Sequence, residues 1–531
     1  MCGSVCAADA VCSDGNCEST TPVDLQFLSI SDWHAQLDPI NVSGVDIGGA
    51  AVLSAYFAAD RMANPNTVTV TAGDAFGGSP PLAAFFDELP AVKALNQMGL
   101  DIDSFGNHNF DKGVMHLQSM IDAATYRYVS SNLNNLAGNL TGIETPYYIV
   151  DMGGIPVAFI GIMNIEAPSV LPPGAMGTIT ISHEINSAMA AKDAAKAAGA
   201  KIFVALVHEG ATLCDAMTQK CSGPLIDFAK GLTGFHIVFG DHTDIQVNEI
   251  INGARVVENR SKGLTYARVN MSVIPWTGFV TKSSTQIVSP VKSAVTPDAA
   301  VETMLQPYRT QLSAQLDGVL GIATDIFPRG GNIERLGEVA IGNLAADSIR
   351  IKYGTQLAMI NGGGIRAPLP SAYAPANTML RRTSAGYASG PPYDLVFGDA
   401  YTVFPFGNTV VTRTVTGAQL WAAMEHGIAA LPAANGRFPQ ISGFGFTYSA
   451  SAMPNARIIE MHLNGGMPIP KDQTTFTMAL PDFTNNGGDG YTMFVDGQGI
   501  SRDLQADVFA DYIQSLMMIS PSIQGRIVAM P

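Results

Sequence analysis

From residue 23 to about residue 290, short runs of apolar residues alternate with longer segments whose apolar positions recur at helical spacing. The apolar runs include "DLQFLSI", "NTVTVTA", "IPVAFIGIM", "KIFVALV" and "FHIVFG", and segments such as "GGAAVLSAYFAADRMA" lie between them. Continuous apolar runs are typical of buried strands, and the intervening periodicity is typical of helices. The pattern predicts a layered α/β domain, in which functional residues collect at the carboxyl ends of strands.

The pattern changes along the rest of the chain. Residues 291–316 show apolar positions at helical spacing, which predicts a helix that links two domains and is kinked or broken at Pro307. From residue 317 the α/β alternation resumes with more glycine, whereas residues 1–22 are polar and rich in cysteine. We therefore expect four parts: a Cys-rich segment 1–22, a domain 23–290, a linker helix 291–316 and a second domain 317–531.

The chain has 531 residues and a formal net charge of −16. The length favours two or more domains. The negative charge argues against a nucleic acid polymer as partner, because binding one requires clustered Lys and Arg. An acidic enzyme with an anionic substrate must supply local positive charge, from a few arginines or from metal ions. No apolar run approaches the about 18 residues of a membrane span, and residues 1–20 lack the basic and apolar regions of a signal peptide.

The cysteines form two groups. Cys2, Cys6, Cys12 and Cys17 lie in the first segment, and Cys214 and Cys221 flank "DAMTQK". An even number of cysteines in so few places predicts an N-terminal disulfide knot and one disulfide that staples a loop. A zinc site is the alternative for the first four, but their spacing contains no C-x2-C hook. The disulfide interpretation predicts an exported protein, which is secreted, periplasmic or at the cell surface.

Five of the predicted strands end in side chains of the kinds that bind metals. A single Asp after Gly is usually a turn residue, and a single His beside a strand is usually a core residue. Turn chemistry does not require His at three separate strand ends, so the set favours a site for two divalent cations. These side chains are Asp32, His34, Asp74, Asn107, His108, His208, His242 and Asp244.

The segment "GNHNFD", residues 106–111, combines an amide, an imidazole and a carboxylate. Asn107 offers a neutral carbonyl oxygen, which keeps a two-metal site from accumulating negative charge. His108 is then free to stabilise transition-state charge or meet the leaving oxygen, and Asp111 is placed to orient its imidazole.

The motifs "SDWHAQ", "GDAF", "GNHNFD", "VHEG" and "GDHTD" resemble those of the calcineurin-like metallophosphoesterases, and specifically of their two-domain 5′-nucleotidase branch. The resemblance covers about residues 23–530. It implies a four-layer α/β/β/α metallophosphoesterase domain, joined by a linker helix to a smaller α/β nucleotide-binding domain. It also implies two divalent metal ions, whose identity stays open among Zn, Mn, Co, Mg and Ca.

By the same resemblance, Asp32 and His34 bind one metal and Asp74 bridges the two. Asn107, His208 and His242 bind the second metal, and His108 with Asp111 forms the catalytic pair. The chain departs from the family in one motif, because it has Asp241 before His242 and Asp244 after it. We expect Asp244 to bind metal still, with an altered metal preference.

In the second domain, "ERLGEVAIGNLAAD", "NGGGIRAPLP", "YTVFPFGNTVV" and "PDFTNNGGDGYTMF" resemble the family's nucleotide-binding segments. Arginines at 335 and 366 supply the positive charge for a phosphate. Two aromatic rings beside loop glycines are expected to clamp a planar base, although each is equally compatible with a place in the core. The predicted substrate-binding residues are Arg335, Asn361, Gly364, Arg366, Phe406, Tyr491 and Asp496.

The sequence thus predicts an exported two-metal phosphohydrolase that acts on nucleoside 5′-monophosphates and is a monomer or a homodimer. The alternatives are a 2′,3′-cyclic phosphodiesterase, a UDP-sugar or nucleoside di- or triphosphate hydrolase, an unselective phosphomonoesterase, and a non-catalytic nucleotide-binding or adhesion protein. Arg381 and Arg382, in the long segment 372–400, would favour substrates with extra phosphates.

Overall fold

The computed structural model describes residues 6, 10–13, 16–42, 44–171, 174–215, 218, 220–454 and 456–530. Cys2 lies outside the described residues. The described chain forms an α/β structure, as the sequence predicts, with two large sheets in the first half and a five-stranded sheet in the second.

The first half contains two sheets that face each other. The strands of the first sheet, from edge to edge, are Ile143–Glu144, Arg127–Val129, Ile102–Asp103, Thr67–Thr71, Val23–Ile30, Tyr266–Ile274 and Phe279–Val288. Those of the second are Tyr148–Asp151, Pro156–Ile162, Ile202–Val207, Ile237–Gly240, Ala254–Glu258 and Val247–Ile251. Phe27 of the first sheet packs against Phe159 of the second, with ring centroids 6.2 Å apart, so apolar side chains from both sheets fill the space between them.

Helices cover the outer faces of both sheets, which completes the predicted α/β/β/α layering. Leu28 and Ile30 point away from the facing sheet and pack on the helices of the first layer. That layer contains Ala50–Ala63, Pro81–Ala84, Leu89–Met98 and Gly113–Ala123. The opposite layer contains Glu184–Ala197 and Pro224–Gly231, whose alanines and leucines pack against the second sheet.

A helix covers Ala299–Leu316, inside the segment that the sequence assigns to a linker. Asp298 caps its N-terminus by accepting a hydrogen bond from the backbone N–H of Ala300 at 2.8 Å. The helix runs through Pro307 without a break, so the break at Pro307 that the sequence allows is not found. Its apolar side chains are buried against the first helical layer, and this packing holds the helix together across the missing backbone hydrogen bond.

The second half is built on a five-stranded sheet whose strands, in spatial order, are Pro439–Ser442, Leu357–Asn361, Thr475–Pro481, Thr409–Thr416 and Ile500–Leu504. Helices Ala340–Tyr353 and Gln505–Leu516 cover one face, and Gly417–Ile428 covers the other. Two three-stranded sheets flank it, Tyr393–Val396 with Val319–Ala323 and Met518–Ile519, and Ile458–Leu463 with Phe444–Ser449 and Ile527–Met530. The remaining helices are Ala167–Val170, Phe397–Val403 and Asp482–Asn485.

Two disulfides agree with the grouping of the cysteines. Cys6 pairs with Cys17 beside the hairpin Ala10–Ser13 and Asn16–Ser19, and Cys214 pairs with Cys221 in the hairpin Leu213–Cys214 and Cys221–Ser222. Cys12 is also disulfide-bonded. Among the described residues, no helix has the length and apolar character that crossing a membrane requires.

Candidate active site

The predicted ligands lie just after five strands whose carboxyl ends meet at one edge of the two facing sheets. Three of the five strands belong to the first sheet and two to the second. Asp32, His34 and Asp74 have left-handed backbone φ angles of 39°, 47° and 48°. Non-glycine residues adopt this conformation rarely, and such strain clusters at functional sites. The chain therefore turns sharply after the strands Val23–Ile30 and Thr67–Thr71, and these side chains project into one space.

Gly106 shows how closely the backbone approaches this cluster. A Cβ atom at this position would lie 2.3 Å from Oδ1 of Asp74 and 2.6 Å from Cε1 of His208. A larger residue would push these two side chains away, so the glycine of "GNHNFD" is required by close approach.

Three groups of side chains place potential ligand atoms within 4.8 Å of one another: His34, Asp74 and His108; Asp74, His208 and His242; and Asp32, His208 and Asp241. His208 Nε2 lies 3.1 Å from Oδ2 of Asp74 and 3.2 Å from Oδ1 of Asn107. His242 Nδ1 is 3.1 Å from the same nitrogen of His208. Asp74 and His208 each belong to two of the groups, and the role of Asp74 as a bridging carboxylate stays a prediction.

Hydrogen bonds to backbone carbonyls orient two of the imidazoles. His34 Nδ1 donates to the carbonyl oxygen of Gly77 at 2.7 Å, and His208 Nδ1 donates to that of Ala72 at 3.1 Å. These bonds turn each Nε2 toward the carboxylates. In the neutral imidazole they also leave Nε2 with the lone pair by which it would bind a metal ion.

The pKa values of the cluster are strongly coupled to one another. Burial disfavours charge on Asp74, but His208, His108 and His34 outweigh burial and hold the pKa of Asp74 below its ordinary value. Burial raises the pKa of Asp32 to about 6. Burial also opposes the charged form of His208, yet Asp74 raises its pKa to about 9. Burial and the charge on His208 lower the pKa of His242 to about 3.

The donor atoms of the cluster are of the kinds that bind divalent cations. Oδ1 of Asp32 and Oδ2 of Asp241 are buried and have no hydrogen-bond partner in the protein. Buried anionic oxygens are normally paired or coordinated. Imidazole, carboxylate and amide donors are ligands that Zn, Mn and related ions accept. The buried groups are therefore candidate metal sites, and the residues that would hold the ions are Asp32, His34, Asp74, Asn107, His208 and His242.

Asp244 lines the same cavity, but its carboxylate has other partners. Its Oδ1 accepts hydrogen bonds from the backbone N–H of Ser261 at 2.9 Å and from the hydroxyl of Ser261 at 3.1 Å. Its Oδ2 pairs with Arg260 at 3.3 Å. The structure does not place Asp244 in any of the three groups, so its predicted role as a ligand stays a prediction. The sequence treated Asp241 only as a departure from the family, and the structure puts it in the cluster.

His108 and Asp111 meet as the sequence predicts. His108 Nδ1 donates to Oδ2 of Asp111 at 2.9 Å, and the same oxygen accepts the backbone N–H of Gly78 at 3.1 Å. The backbone N–H of His108 donates to Oδ1 of Asp74 at 2.8 Å. Burial disfavours the imidazolium of His108, but Asp111 and Asp74 outweigh burial and raise its pKa above the ordinary value. The pair is thus built to keep a positive charge beside the cluster.

A cavity of about 300 Å³ lies between this cluster and the second half of the chain, within the range of small-molecule sites. Of the predicted substrate-binding residues, Arg335, Asn361, Gly364, Arg366 and Phe406 line it. Arg366 Nη2 lies 3.4 Å from Nε2 of His34, and its guanidinium stands 5.5 Å from the ring centroid of Phe406. Phe406 in turn stacks on His108 at a centroid distance of 5.5 Å.

Two of the predicted substrate-binding residues lie elsewhere. Tyr491 is fully buried in the core, where its hydroxyl donates to the carbonyl oxygen of Arg437 at 2.5 Å and its ring stacks on Phe494. Asp496 pairs with Arg413 at 2.5 Å and caps the backbone N–H of Gln498. Both side chains have structural partners, so the structure does not bring either one to the cavity.

Phe483 and Asp489 line the cavity instead and were missed from the sequence. They belong to the same segment, "PDFTNNGGDGYTMF". The ring of Phe483 rests on Gly488, where an added Cβ would lie 2.5 Å from it. Asp489 has a left-handed φ of 54° and accepts the side-chain amide of Asn361 at 2.8 Å. Burial raises the pKa of Asp489. The two glycines before Asp489 were the available signal.

The cationic residues of the cavity also differ from the sequence prediction. Arg381 pairs with Asp394 at 2.5 Å and Arg382 pairs with the buried Asp399 at 2.6 Å, so these arginines hold segment 372–400 and do not serve a ligand. Arg329 and Lys262 line the cavity together with Arg335 and Arg366. Lys262 Nζ donates to the carbonyl oxygen of Arg366 at 3.1 Å, and burial beside Arg329 and Arg366 lowers its pKa to about 7.

Comparison with known proteins agrees with this arrangement. Residues 319–496 match the family model of the 5′-nucleotidase C-terminal domain. The chain is 26% identical over 481 residues to Endonuclease YhcR of Bacillus subtilis, covering 87% of this chain and 37% of YhcR. It is 24% identical over 547 residues to the 5′-nucleotidase of Rattus norvegicus, covering 95% of this chain and 90% of the rat protein. The chain thus spans little more than a third of YhcR but nearly all of the rat relative.

The fold matches a solved structure along almost the whole chain. The crystal structure of a 5′-nucleotidase precursor from Thermus thermophilus superposes with a TM-score of 0.81 and 24% identity, covering 96% of this chain and 99% of that one. The layered first half, the second half with its 5′-nucleotidase C-terminal domain and the buried His/Asp cluster between them occur in one chain. The chain therefore resembles the two-domain 5′-nucleotidases in fold along almost its whole length, and its residues 319–496 match the model of their C-terminal domain.

Proposed function

We propose that the protein is an exported 5′-nucleotidase, which releases phosphate from nucleoside 5′-monophosphates. One observation carries the proposal: a single cavity is lined on one side by the His/Asp cluster and on the other by arginines and aromatic rings. A phosphate needs the cationic groups, and a base needs the flat rings. A nucleoside monophosphate carries both groups.

Each side of the cavity supplies a different part of recognition. Arg335 and Arg366 would bind the phosphate oxygens with their planar guanidinium groups. Phe406 and Phe483 present half-buried rings on which a base would stack. Asp489 would accept hydrogen bonds from ribose hydroxyls, since Asn361 occupies only one of its oxygens in the structure.

Cations held by the cluster would polarise a phosphoryl oxygen and lower the pKa of a bound water. His108 acts beside them. Asp111 and Asp74 raise its pKa against the effect of burial and so favour the imidazolium, which can stabilise negative charge that develops on the phosphate. Asp111 fixes the ring, because Nδ1 is committed to this carboxylate and only Nε2 is free to turn toward the substrate.

A second candidate substrate class is favoured by the additional cations. Arg329 and Lys262 line the cavity beyond the two arginines that one phosphate needs. Glu334 neutralises part of this charge through its ion pair with Arg329 at 3.1 Å. An entering phosphate would raise the lowered pKa of Lys262 and so restore its charge. Nucleoside diphosphates or UDP-sugars would use this extra charge.

The experiment is hydrolysis of a panel of substrates by the purified protein, followed by phosphate release for the monoesters and ADP and by chromatography of the products for the diesters and UDP-glucose. The panel comprises AMP, UMP, ADP, UDP-glucose, 2′,3′-cyclic AMP, p-nitrophenyl phosphate and single-stranded DNA, the last because one relative is named an endonuclease. Each is tested after EDTA treatment and after addition of Mn²⁺ or Zn²⁺. We expect metal-dependent turnover with the highest kcat/KM for AMP or UMP. Preference for ADP or UDP-glucose would support the second candidate, and equal turnover of every phosphate ester would reject selective base recognition.

Export rests on the disulfides. The pairs Cys6–Cys17 and Cys214–Cys221 are stable in oxidising compartments and rare in the cytosol. Titration of free thiols in protein taken from its native host tests this point. Finding reduced thiols there would contradict an extracellular or periplasmic location.

A further inference from the structure

The carboxylates of Asp32 and Asp241 lie close together in a buried place. Asp32 is a predicted metal ligand, whereas Asp241 is not. Asp241 directly follows the strand Ile237–Gly240 and is fully buried, and Asp32 is only 3% exposed. One oxygen of each carboxylate and one nitrogen of His208 lie within 4.8 Å of one another. Asp241 therefore points at the groups that the sequence predicts to hold the cations.

The hydrogen bonds of Asp241 leave one oxygen free. Its Oδ1 accepts the backbone N–H of His242 at 3.0 Å. Its Oδ2 accepts no hydrogen bond from an N–H or hydroxyl group, and neither does Oδ1 of Asp32, which lies 3.8 Å from Nε2 of His34. Two buried carboxylates this close repel each other when both are ionised, and proteins tolerate this where a cation lies between them or a proton is shared.

Asp244, the other acidic residue of the motif, is in the opposite situation. Both of its oxygens have partners, in Ser261 and Arg260. Breaking these contacts to bind a metal would leave Arg260 without its carboxylate. Asp241 needs no such rearrangement, because one of its oxygens already lies within 4.8 Å of a carboxylate oxygen of Asp32 and a nitrogen of His208.

We propose that Asp241, and not Asp244, supplies the additional carboxylate ligand of the cation that Asp32 binds. The inference rests on the proposed metal centre and extends it to a residue outside the family's motif. With Asp32, Asp74 and Asp241 the site has three carboxylates, and oxygen-rich sites suit Mn, Mg and Ca better than nitrogen- and sulfur-rich sites do. We expect Mn²⁺ to be bound more tightly relative to Zn²⁺ than imidazole-dominated sites allow.

The test compares Asp241→Asn with Asp244→Asn in the full chain. Both substitutions remove one negative charge from the same motif and keep the side-chain volume, so Asp244→Asn is the matched control. After EDTA treatment and dialysis, Mn²⁺ binding is measured by isothermal titration calorimetry and metal content by mass spectrometry. We expect Asp241→Asn to weaken one Mn²⁺ site by about tenfold or more and Asp244→Asn to change neither site.

Thermal unfolding separates a ligand from a residue with a structural role. Asp241→Asn should reduce the increase in melting temperature that Mn²⁺ produces in the wild type. If Asp32 and Asp241 share a proton instead, the asparagine amide would donate to Asp32, and Asp241→Asn would bind Mn²⁺ as tightly as the wild type. That result, or a loss of Mn²⁺ in Asp244→Asn alone, would overturn the inference. Binding is measured without substrate, so the outcome is independent of which phosphate ester is hydrolysed.

Discussion

Replacing Asp111 by asparagine tests how the imidazole of His108 works. Asparagine has the same shape and keeps an acceptor oxygen, but it removes the negative charge that His108 Nδ1 and the backbone N–H of Gly78 contact. Asp111 is the leading cause that raises the pKa of His108, against the opposing effect of burial. The variant should therefore have a lower His108 pKa, and less imidazolium at neutral pH.

The size of the effect follows from the hydrogen bond that changes. A hydrogen bond to a charged group contributes about 1.5–3 kcal/mol and one between neutral groups about 1 kcal/mol, so the loss is about 0.5–2 kcal/mol. That corresponds to a decrease in kcat of about 2- to 30-fold. Activity that requires the imidazolium is lost as pH rises through the His108 pKa, so the alkaline limb of the kcat profile should move to lower pH in the variant.

The assay measures kcat and KM for AMP across pH, together with the Mn²⁺ content of each protein. Asp87→Asn is the control. Asp87 is an exposed acid whose carboxylate pairs with Lys112, the residue that follows Asp111 in the chain. We expect Asp111→Asn to keep its metal while kcat falls, and Asp87→Asn to match the wild type. Loss of metal in Asp111→Asn would show that Asp111 supports a metal ligand, and an unchanged kcat would refute the charge argument.

Other predictions address the base site, the phosphate site and stability. Phe483→Ala should raise KM for AMP and leave KM for p-nitrophenyl phosphate unchanged, because only AMP carries a base. Tyr491→Phe should leave KM for AMP unchanged. It should lower the free energy of unfolding by about 1 kcal/mol, measured by thermal unfolding. Arg366→Lys should reduce kcat/KM for AMP by about tenfold or more in steady-state assays, because lysine cannot bind two phosphate oxygens at once. Burial lowers the pKa of His236 to about 4, and its Nδ1 accepts the backbone N–H of Phe203. As pH falls, the His236 imidazole therefore binds a proton in the unfolded chain before it does so in the folded chain. About 3 kcal/mol of the free energy of unfolding should be lost between about pH 6.5 and about pH 4. His236→Asn should lack this part of the pH dependence.

The metal-binding side of the site could be predicted because it depends on strand ends. Parallel strands bring their carboxyl ends to one edge, so residues far apart in sequence, such as Asp32 and His208, meet once the strands are recognised. The Asp, His and Asn residues at these strand ends then indicate a metal site. The same logic predicted the layered fold, since buried strands and amphipathic helices have distinct patterns.

The proposed base-binding side could not be predicted in the same way, because it lies on a loop. Phe483 and Tyr491 both stand near the glycines of one segment, and composition gives no reason to prefer either. The backbone decides: Asp489 takes a left-handed conformation, and the turn sends Tyr491 into the core and leaves Phe483 at the cavity. Likewise, Asp244 and Asp241 differ only in which of them finds partners in Ser261 and Arg260, a tertiary contact that the motif does not encode.

The charges of the protein explain why the two halves must act together. With a net charge of −16, the chain as a whole repels a phosphate. Arg329, Arg335 and Arg366 come from the second half, and Lys262 from the first contacts Arg366 across the cavity. The carboxylates of the cluster repel phosphate until cations occupy it. A productive site therefore needs metal on one side and arginines on the other at the same time. Arg366 contacts His34 and Lys262 of the first half. A movement of one half relative to the other would therefore change these contacts.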